Sequence, residues 1–133
     1  MNESSTTGMN SSRPYLMRAM YEWIVDNNLT PYLLVNAGEP GVEVPVEHVN
    51  NGKIILNVDP NAVQDLDMSG TDVSFSARFS GKPTQIFVPV SAALAIYARE
   101  NGRGMVFNDD DESPPDPVGE KGKSNTPNLR IVK

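Results

Sequence analysis

The sequence predicts a small, mainly β domain with an N-terminal helix and a second short helix, folded as an antiparallel sandwich or partly open barrel. Short runs of alternating apolar residues recur between positions 31 and 88, turn signals separate them, and an apolar helical pattern precedes them. The chain has 133 residues, no cysteine and no internal repeat. It therefore has room for one compact domain without disulfides or zinc–thiolate sites.

The first helix is predicted to begin near Pro14, with Ser12 able to cap it. Apolar residues occupy most of its circumference, and only Arg18, Glu22 and Asp26 form a polar stripe. Such a helix is buried on more than one side. This favours one face on the core and another on a second subunit, although burial wholly within its own core is the alternative. The predicted dimer-interface residues are Tyr15, Leu16, Ala19, Met20 and Trp23.

Five short strands are expected after this helix, at positions 31–35, 41–49, 53–58, 72–79 and 84–88. Pro45 makes the second an edge or bulged strand, and Asn51-Gly52 is a strong tight-turn signal. A second helix is predicted from Val90 to Glu100, because apolar residues recur there at helical spacing. A last short strand is expected from Gly104 to Phe107.

The two ends of the chain differ in composition from this body. Residues 1–12 are predicted to be a disordered leader, 13–107 the folded domain, and 108–128 a disordered acidic and proline-rich linker. Residues 129–133 form a short apolar and basic tip, which is suited to docking on another protein. The sequence shows neither a signal peptide nor a membrane-length apolar run, so we expect a cytoplasmic protein.

Residues that could carry chemistry are few. His48 is the single histidine and is predicted to be a surface or interface residue rather than a catalyst. Gly122-Lys123-Ser124 lacks the earlier glycine of a phosphate-binding loop, and the acidic run 109–112 is typical of a solvated spacer. We expect no enzymatic activity, no cofactor and no metal. The net charge of −6 argues against nucleic-acid binding.

The sequence offers a clearer candidate for a recognition surface than for a catalytic or metal site. Phe75, Ala77 and Phe79 share one face of the most regular predicted strand. Core packing is the ordinary explanation for such a face. However, an alanine between two rings would leave a dent, and an extended peptide could place alternate side chains along it. The sequence therefore suggests a peptide groove at these three residues, without fixing which face of the strand is buried.

Several blocks then resemble one known family. They are Pro14-Tyr15-Leu16, Tyr21-Glu22-Trp23, Leu29-Thr30-Pro31, Pro40-Gly41-Val42, Ile55-Leu56-Asn57, Phe75-x-Ala77-Arg78-Phe79, Leu94-Ala95-Ile96-Tyr97-Ala98-Arg99-Glu100-Asn101-Gly102 and the terminal Leu-Arg-Ile-Val-Lys. Their order resembles that of the stringent starvation protein B family, bacterial adaptors that deliver ssrA-tagged proteins to the ClpXP protease. The resemblance covers about residues 13–107 and the last five.

The resemblance implies an Sm-like fold, a homodimer formed through the first helix, and a groove for the tag peptide. Arg78 would contact acidic side chains of the tag. The C-terminal tail would dock on the N-terminal domain of ClpX through Leu129, Arg130, Ile131, Val132 and Lys133. An RNA-binding Sm-like module and a small hydrolase are the alternatives from other functional classes.

Overall fold

The computed structural model describes residues 10–107. In this part of the chain one α-helix is followed by seven strands: α1 (Arg13–Asp26), β1 (Pro31–Asn36), β2 (Lys53–Asn57), β3 (Val63–Asp67), β4 (Asp72–Phe79), β5 (Lys82–Pro89), β6 (Ala93–Ala98) and β7 (Gly104–Val106). The strands form a four-stranded sheet in the order β2-β1-β6-β7 and a three-stranded sheet in the order β3-β4-β5. The predicted mainly β class with an N-terminal helix is confirmed, and these sheets form no closed barrel. The predicted linker and docking tail lie outside the described residues, as does most of the predicted leader.

Helix α1 buries one face and ends in a defined motif. Met17 and Ile24 are almost fully buried in the core. Ser12 occupies the predicted N-cap position, but its side chain makes no capping hydrogen bond. At the other end, Asn28 takes a left-handed conformation with φ of 61°, and the Leu29 N–H donates to the Ile24 carbonyl at 3.1 Å. This bond closes the helix in the manner of a Schellman motif, with asparagine in the place usually taken by glycine.

The start of α1 is pinned to the four-stranded sheet by a buried arginine. Arg13 is 3% exposed, and its Nη1 donates to the carbonyls of Ser91 and Ala93 at 3.1 and 3.0 Å. The guanidinium carbon lies 5.6 Å from the centre of the Phe107 ring. Because a buried guanidinium requires such partners, this contact fixes the beginning of α1 against the end of β7.

Two tight turns form where their sequences predict them. Asn51 and Gly52 have φ angles of 52° and 75°, and Ser80 and Gly81 have φ angles of 53° and 80°. Positive φ at both central residues is typical of the type I′ turns that join antiparallel strands. The second turn joins β4 to β5, in which Ala77 pairs with Thr84.

The predicted second helix is wrong. Val90–Ala92 is a single 3₁₀ turn, and Ala93–Ala98 is strand β6, which lies between β1 and β7. Four of the six β6 residues are buried, including Ala95 and Ile96. A central strand that is apolar on both faces loses the two-residue alternation, so its sequence pattern cannot be distinguished from that of a buried helix.

The predicted edge strand at 41–49 is also wrong. Only Glu43 forms a bridge, to Phe87 of β5, and a 3₁₀ turn follows at Val46–His48. Pro45 precedes this turn and takes no part in a strand ladder. Between β2 and β4 the chain forms a strand that the sequence prediction did not include, β3. It was missed because its residues are mostly polar and exposed.

The inner faces of both sheets and α1 share one hydrophobic core. The largest fully buried side chains from the strands include Leu33, Val35, Leu56, Val73, Phe75, Ile86, Val88 and Ile96. The core therefore covers the first half of β4, and this determines which part of that strand can meet a partner.

Candidate functional site

Strand β4 carries the predicted groove residues, but it does not present them alike. Val73 and Phe75 are buried, with 0% and 1% exposure. Ala77 and Phe79 lie on the same face and pack against the core, yet both are only partly buried. The Phe75 ring therefore lies within the core, while Ala77 and Phe79 are the two predicted groove residues that reach the surface.

A cavity of about 290 Å³ lies beside Phe79. It is lined by Leu34, His48, Asn50, Lys53, Ile54, Ile55 and Phe79. The ring centres of His48 and Phe79 are 5.4 Å apart, with the planes tilted by 54°. Ile55 is 51% exposed, so the cavity opens beside an apolar surface. This cavity could not be predicted from the sequence, because its walls come from β1, β2, β4 and the loop before β2.

Backbone hydrogen bonds hold the loop that supplies His48. Glu43 and Phe87 exchange backbone hydrogen bonds of 2.8 and 3.1 Å, and the His48 N–H donates to the Pro45 carbonyl at 3.1 Å. Beyond His48, Asn50 and Lys53 exchange bonds of 2.8 and 2.9 Å across the tight turn. These bonds place His48 and Lys53 on the same cavity although they lie in different local structures.

A second, larger cavity of about 540 Å³ lies where β3 meets β4. Its lining residues are Pro60, Asn61, Ala62, Val63, Gln64, Ser76, Ala77, Arg78 and Pro83. The β3–β4 register shifts between Gln64 and Asp67, and Asp65 takes a positive φ of 58°. This bulge interrupts strand pairing opposite Phe75, while Ala77 stays paired with Val63. The structure thus places Ala77 and Phe79, two residues apart on one strand, on different cavities.

Arg78 belongs to the opposite face of β4, because successive side chains of a strand alternate between faces. Its Nη1 donates to the carbonyl of Gly81 at 2.9 Å, across its own hairpin turn. Arg78 lines the larger cavity, but this bond engages part of its guanidinium within the chain.

The predicted dimer-interface residues form a stripe along α1. Tyr15 and Trp23 are 57% and 47% exposed, and the exposed Ala19 lies midway between them. Residues four positions apart occupy the same helical face. Leu16 and Met20 border this stripe and are partly buried against the core. The described chain therefore leaves an apolar helical face uncovered.

The largest pKa shift among the described residues is that of Glu100, which lines neither cavity. Glu100 accepts hydrogen bonds from the Thr30 N–H at 2.9 Å and from the Thr30 hydroxyl at 2.7 Å. These bonds, backbone first, lower the pKa of Glu100 from 4.5 to about 2, and Arg99 adds to the effect. The carboxylate joins the turn after α1 to the turn after β6, which makes it a structural residue.

Within residues 10–107 no group of three or more His, Cys, Asp or Glu residues could hold a metal ion. No helix in that part of the chain is long and apolar enough to cross a membrane. The described residues form cavities and an apolar stripe, which can bind other molecules through shape, apolar contact and charge.

Comparison with known proteins identifies the family. The model of the family described as stringent starvation protein B matches residues 11–130, which is nine-tenths of the chain. The chain belongs to the stringent starvation protein B family. A relative from Haemophilus influenzae, named stringent starvation protein B homolog, is 52% identical over 95 residues. That match covers 71% of this chain and 63% of the relative, so the chain spans less than two thirds of the relative's length.

Proposed function

We propose that this member of the stringent starvation protein B family is a non-enzymatic cytoplasmic adaptor. It binds the ssrA tag of incompletely synthesised proteins and brings them to the ClpX unfoldase of ClpXP. Family membership carries the proposal, together with the partly open second half of β4, where Ala77 and Phe79 reach the surface.

The geometry around β4 suits an extended peptide. Ala77 and Phe79 lie about 7 Å apart along the strand, the spacing of two residues in an extended chain. Each lines a different cavity, so a peptide running along β4 could place side chains in both. The small side chain of Ala77 allows the peptide backbone to approach, and Phe79 supplies apolar contact.

In this proposal the tail residues Leu129, Arg130, Ile131, Val132 and Lys133 dock on the N-terminal domain of ClpX. The family match extends to residue 130 and so includes the start of this tail. A linker of about 20 residues would span roughly 25 Å as a random coil. Tethering of this kind raises the effective concentration of the cargo at the protease toward the millimolar range, so neither contact has to be tight.

We further propose that the exposed stripe on α1 forms a homodimer. Tyr15, Ala19 and Trp23 provide a small residue between two large aromatic ones, which lets two helices approach closely. A dimer would carry two tag sites and two docking tails, and bivalent docking would strengthen its binding to ClpX.

The proposal is tested by titrating a fluorescently labelled ssrA-tag peptide and following its anisotropy. We expect saturable binding near one peptide per subunit. A chain truncated after Asn128 should bind the peptide equally well but should not accelerate ClpXP degradation of a tagged protein. For the full chain, we expect a lower apparent KM for that substrate with little change in the maximal rate.

The possible outcomes separate the two halves of the proposal. Absence of peptide binding by a folded protein would refute the tag-binding role. Normal delivery by the truncated chain would refute the docking role of the tail. The degradation assay without adaptor provides the baseline for both comparisons.

A further inference from the structure

The titratable side chains that line the cavity beside Phe79 are all basic. Among the described residues that line it, Lys53 and His48 are the only basic ones, Asn50 is neutral and polar, and no carboxylate is present. The remaining lining residues, Leu34, Ile54, Ile55 and Phe79, are apolar. A cavity with apolar walls and a lysine at its rim favours a ligand group that is anionic and joined to an apolar chain.

Lys53 is held in place through its backbone while its ammonium group has no acidic partner in residues 10–107. Its N–H and carbonyl are both bonded to Asn50 across the tight turn. The ion pair found in that part of the chain joins Arg99 to Glu100. These two residues directly follow β6 and do not line the cavity beside Phe79. The Lys53 side chain is exposed, so its ammonium can meet a ligand without first breaking a contact within the protein.

Arg78, the residue that the sequence suggested for charge recognition, is less well placed. It lines the larger cavity with Ala77, but it projects from the opposite face of β4 to Ala77 and Phe79 and already donates to the Gly81 carbonyl. A ligand carboxylate would have to compete with that bond. Lys53 lies instead on the cavity that Phe79 lines, where apolar neighbours reduce the screening of a charge pair.

We propose that Lys53 recognises a carboxylate side chain of the bound peptide, and that Lys53 rather than Arg78 sets a preference for acidic sequences. The inference rests on the proposed peptide-binding function. In this arrangement the carboxylate lies at the rim near the Lys53 ammonium, and the methylene groups of the acidic residue contact Ile55 and Phe79.

The test uses Lys53→Met, which keeps an unbranched apolar side chain but removes the charge. Lys82→Met is the matched control, because Lys82 is an exposed lysine that lines neither cavity. Each protein is titrated with the labelled ssrA-tag peptide and with peptides in which one acidic residue at a time is replaced by its amide. Circular dichroism and urea unfolding confirm that all variants are folded.

We expect the wild type to bind one of the amide peptides roughly two- to fivefold more weakly than the parent peptide, the range for an exposed charge pair. Lys53→Met should lose a similar factor with the parent peptide and show no further loss with that amide peptide. Lys82→Met should retain the wild-type discrimination. Arg78→Met should keep the ratio between carboxylate and amide peptides, whatever its overall affinity.

Several results would overturn the inference while leaving tag binding established. Equal losses in Lys53→Met and Lys82→Met would indicate general charge attraction. Continued discrimination by Lys53→Met, or loss of discrimination only in Arg78→Met, would assign the carboxylate to another residue. If the wild type does not bind the parent peptide, the proposed function itself fails, so the two failures are distinguishable.

Discussion

The two halves of β4 have the same alternating pattern but different surroundings. Val73 and Phe75 are covered by the core, whereas Ala77 and Phe79 continue the same face to cavities at the surface. Alternation therefore identifies the residues that share a face, but it does not show how far along the strand the core extends. The same contrast occurs on α1, where the face of Met17 is covered and that of Ala19 is exposed.

The largest effect is expected from truncation in the covered half of β4. Phe75→Ala should lower the free energy of unfolding by about 3–5 kcal/mol, because it removes a fully buried ring and leaves a cavity. Phe79→Ala should cost roughly 1–2 kcal/mol, since that ring is only partly buried. Urea denaturation of both variants measures this difference. Equal decreases in the free energy of unfolding would show that Phe75 and Phe79 contribute equally to the core.

On α1, a charge on the exposed stripe should disrupt the proposed dimer. Ala19→Arg would bury an unpaired guanidinium between two helices, and we expect the dimer dissociation constant to rise about a hundredfold or more. Sedimentation equilibrium provides the measurement. Gln85→Arg, at an exposed position of β5 that lines neither cavity, is the matched control and should leave the association unchanged. A dimer that tolerates Ala19→Arg would place the interface elsewhere.

In the open half of β4, Ala77→Gln should weaken binding of the tag peptide by about tenfold or more, because the longer side chain fills space that the peptide needs. The cost in folding stability should stay below about 1 kcal/mol, since the new side chain can extend into the cavity. Anisotropy titration and urea denaturation separate the two effects. Unchanged affinity in the folded variant would remove Ala77 from the site.

The smallest expected effect is on the pH dependence of folding stability, and it concerns Glu100, which lies outside β4. The pKa of Glu100 is about 2 in the folded protein and 4.5 ordinarily, so its carboxylate stabilises the fold above pH 4.5. This contribution is lost as the pH falls from 4.5 toward 2. Glu100→Gln should therefore lower the urea midpoint at pH 7 and reduce its dependence on pH between 4.5 and 2. An unchanged pH dependence would show that Thr30 does not hold the carboxylate.

Much of the fold could be predicted where local chemistry determines it. The turns at Asn51-Gly52 and Ser80-Gly81 contain glycine or asparagine, which readily accept positive φ, and α1 follows from its apolar spacing. The strand Ala93–Ala98 could not be predicted in the same way. Its apolar residues on both faces reflect its central position in the sheet, which depends on β1 and β7.

The candidate site was predicted in part for a similar reason. Ala77 and Phe79 lie on one strand, so their shared face can be read from their spacing. His48 and Lys53 join Phe79 only after the loop at 41–49 folds back on β5 through Glu43. Pro45 suggested an edge strand there, but the segment forms a 3₁₀ turn, and this turn brings the only histidine to the site.

The contact between Arg13 and Phe107 has a practical consequence for engineering. Because the guanidinium lies 5.6 Å from the ring centre, the described domain begins and ends at neighbouring points. A short linker could join residues 13 and 107, and new termini could be opened at the exposed Asn51-Gly52 turn. Such a circularly permuted domain would keep every strand pairing while moving its points of attachment from the β7 edge to the β2 edge of the four-stranded sheet.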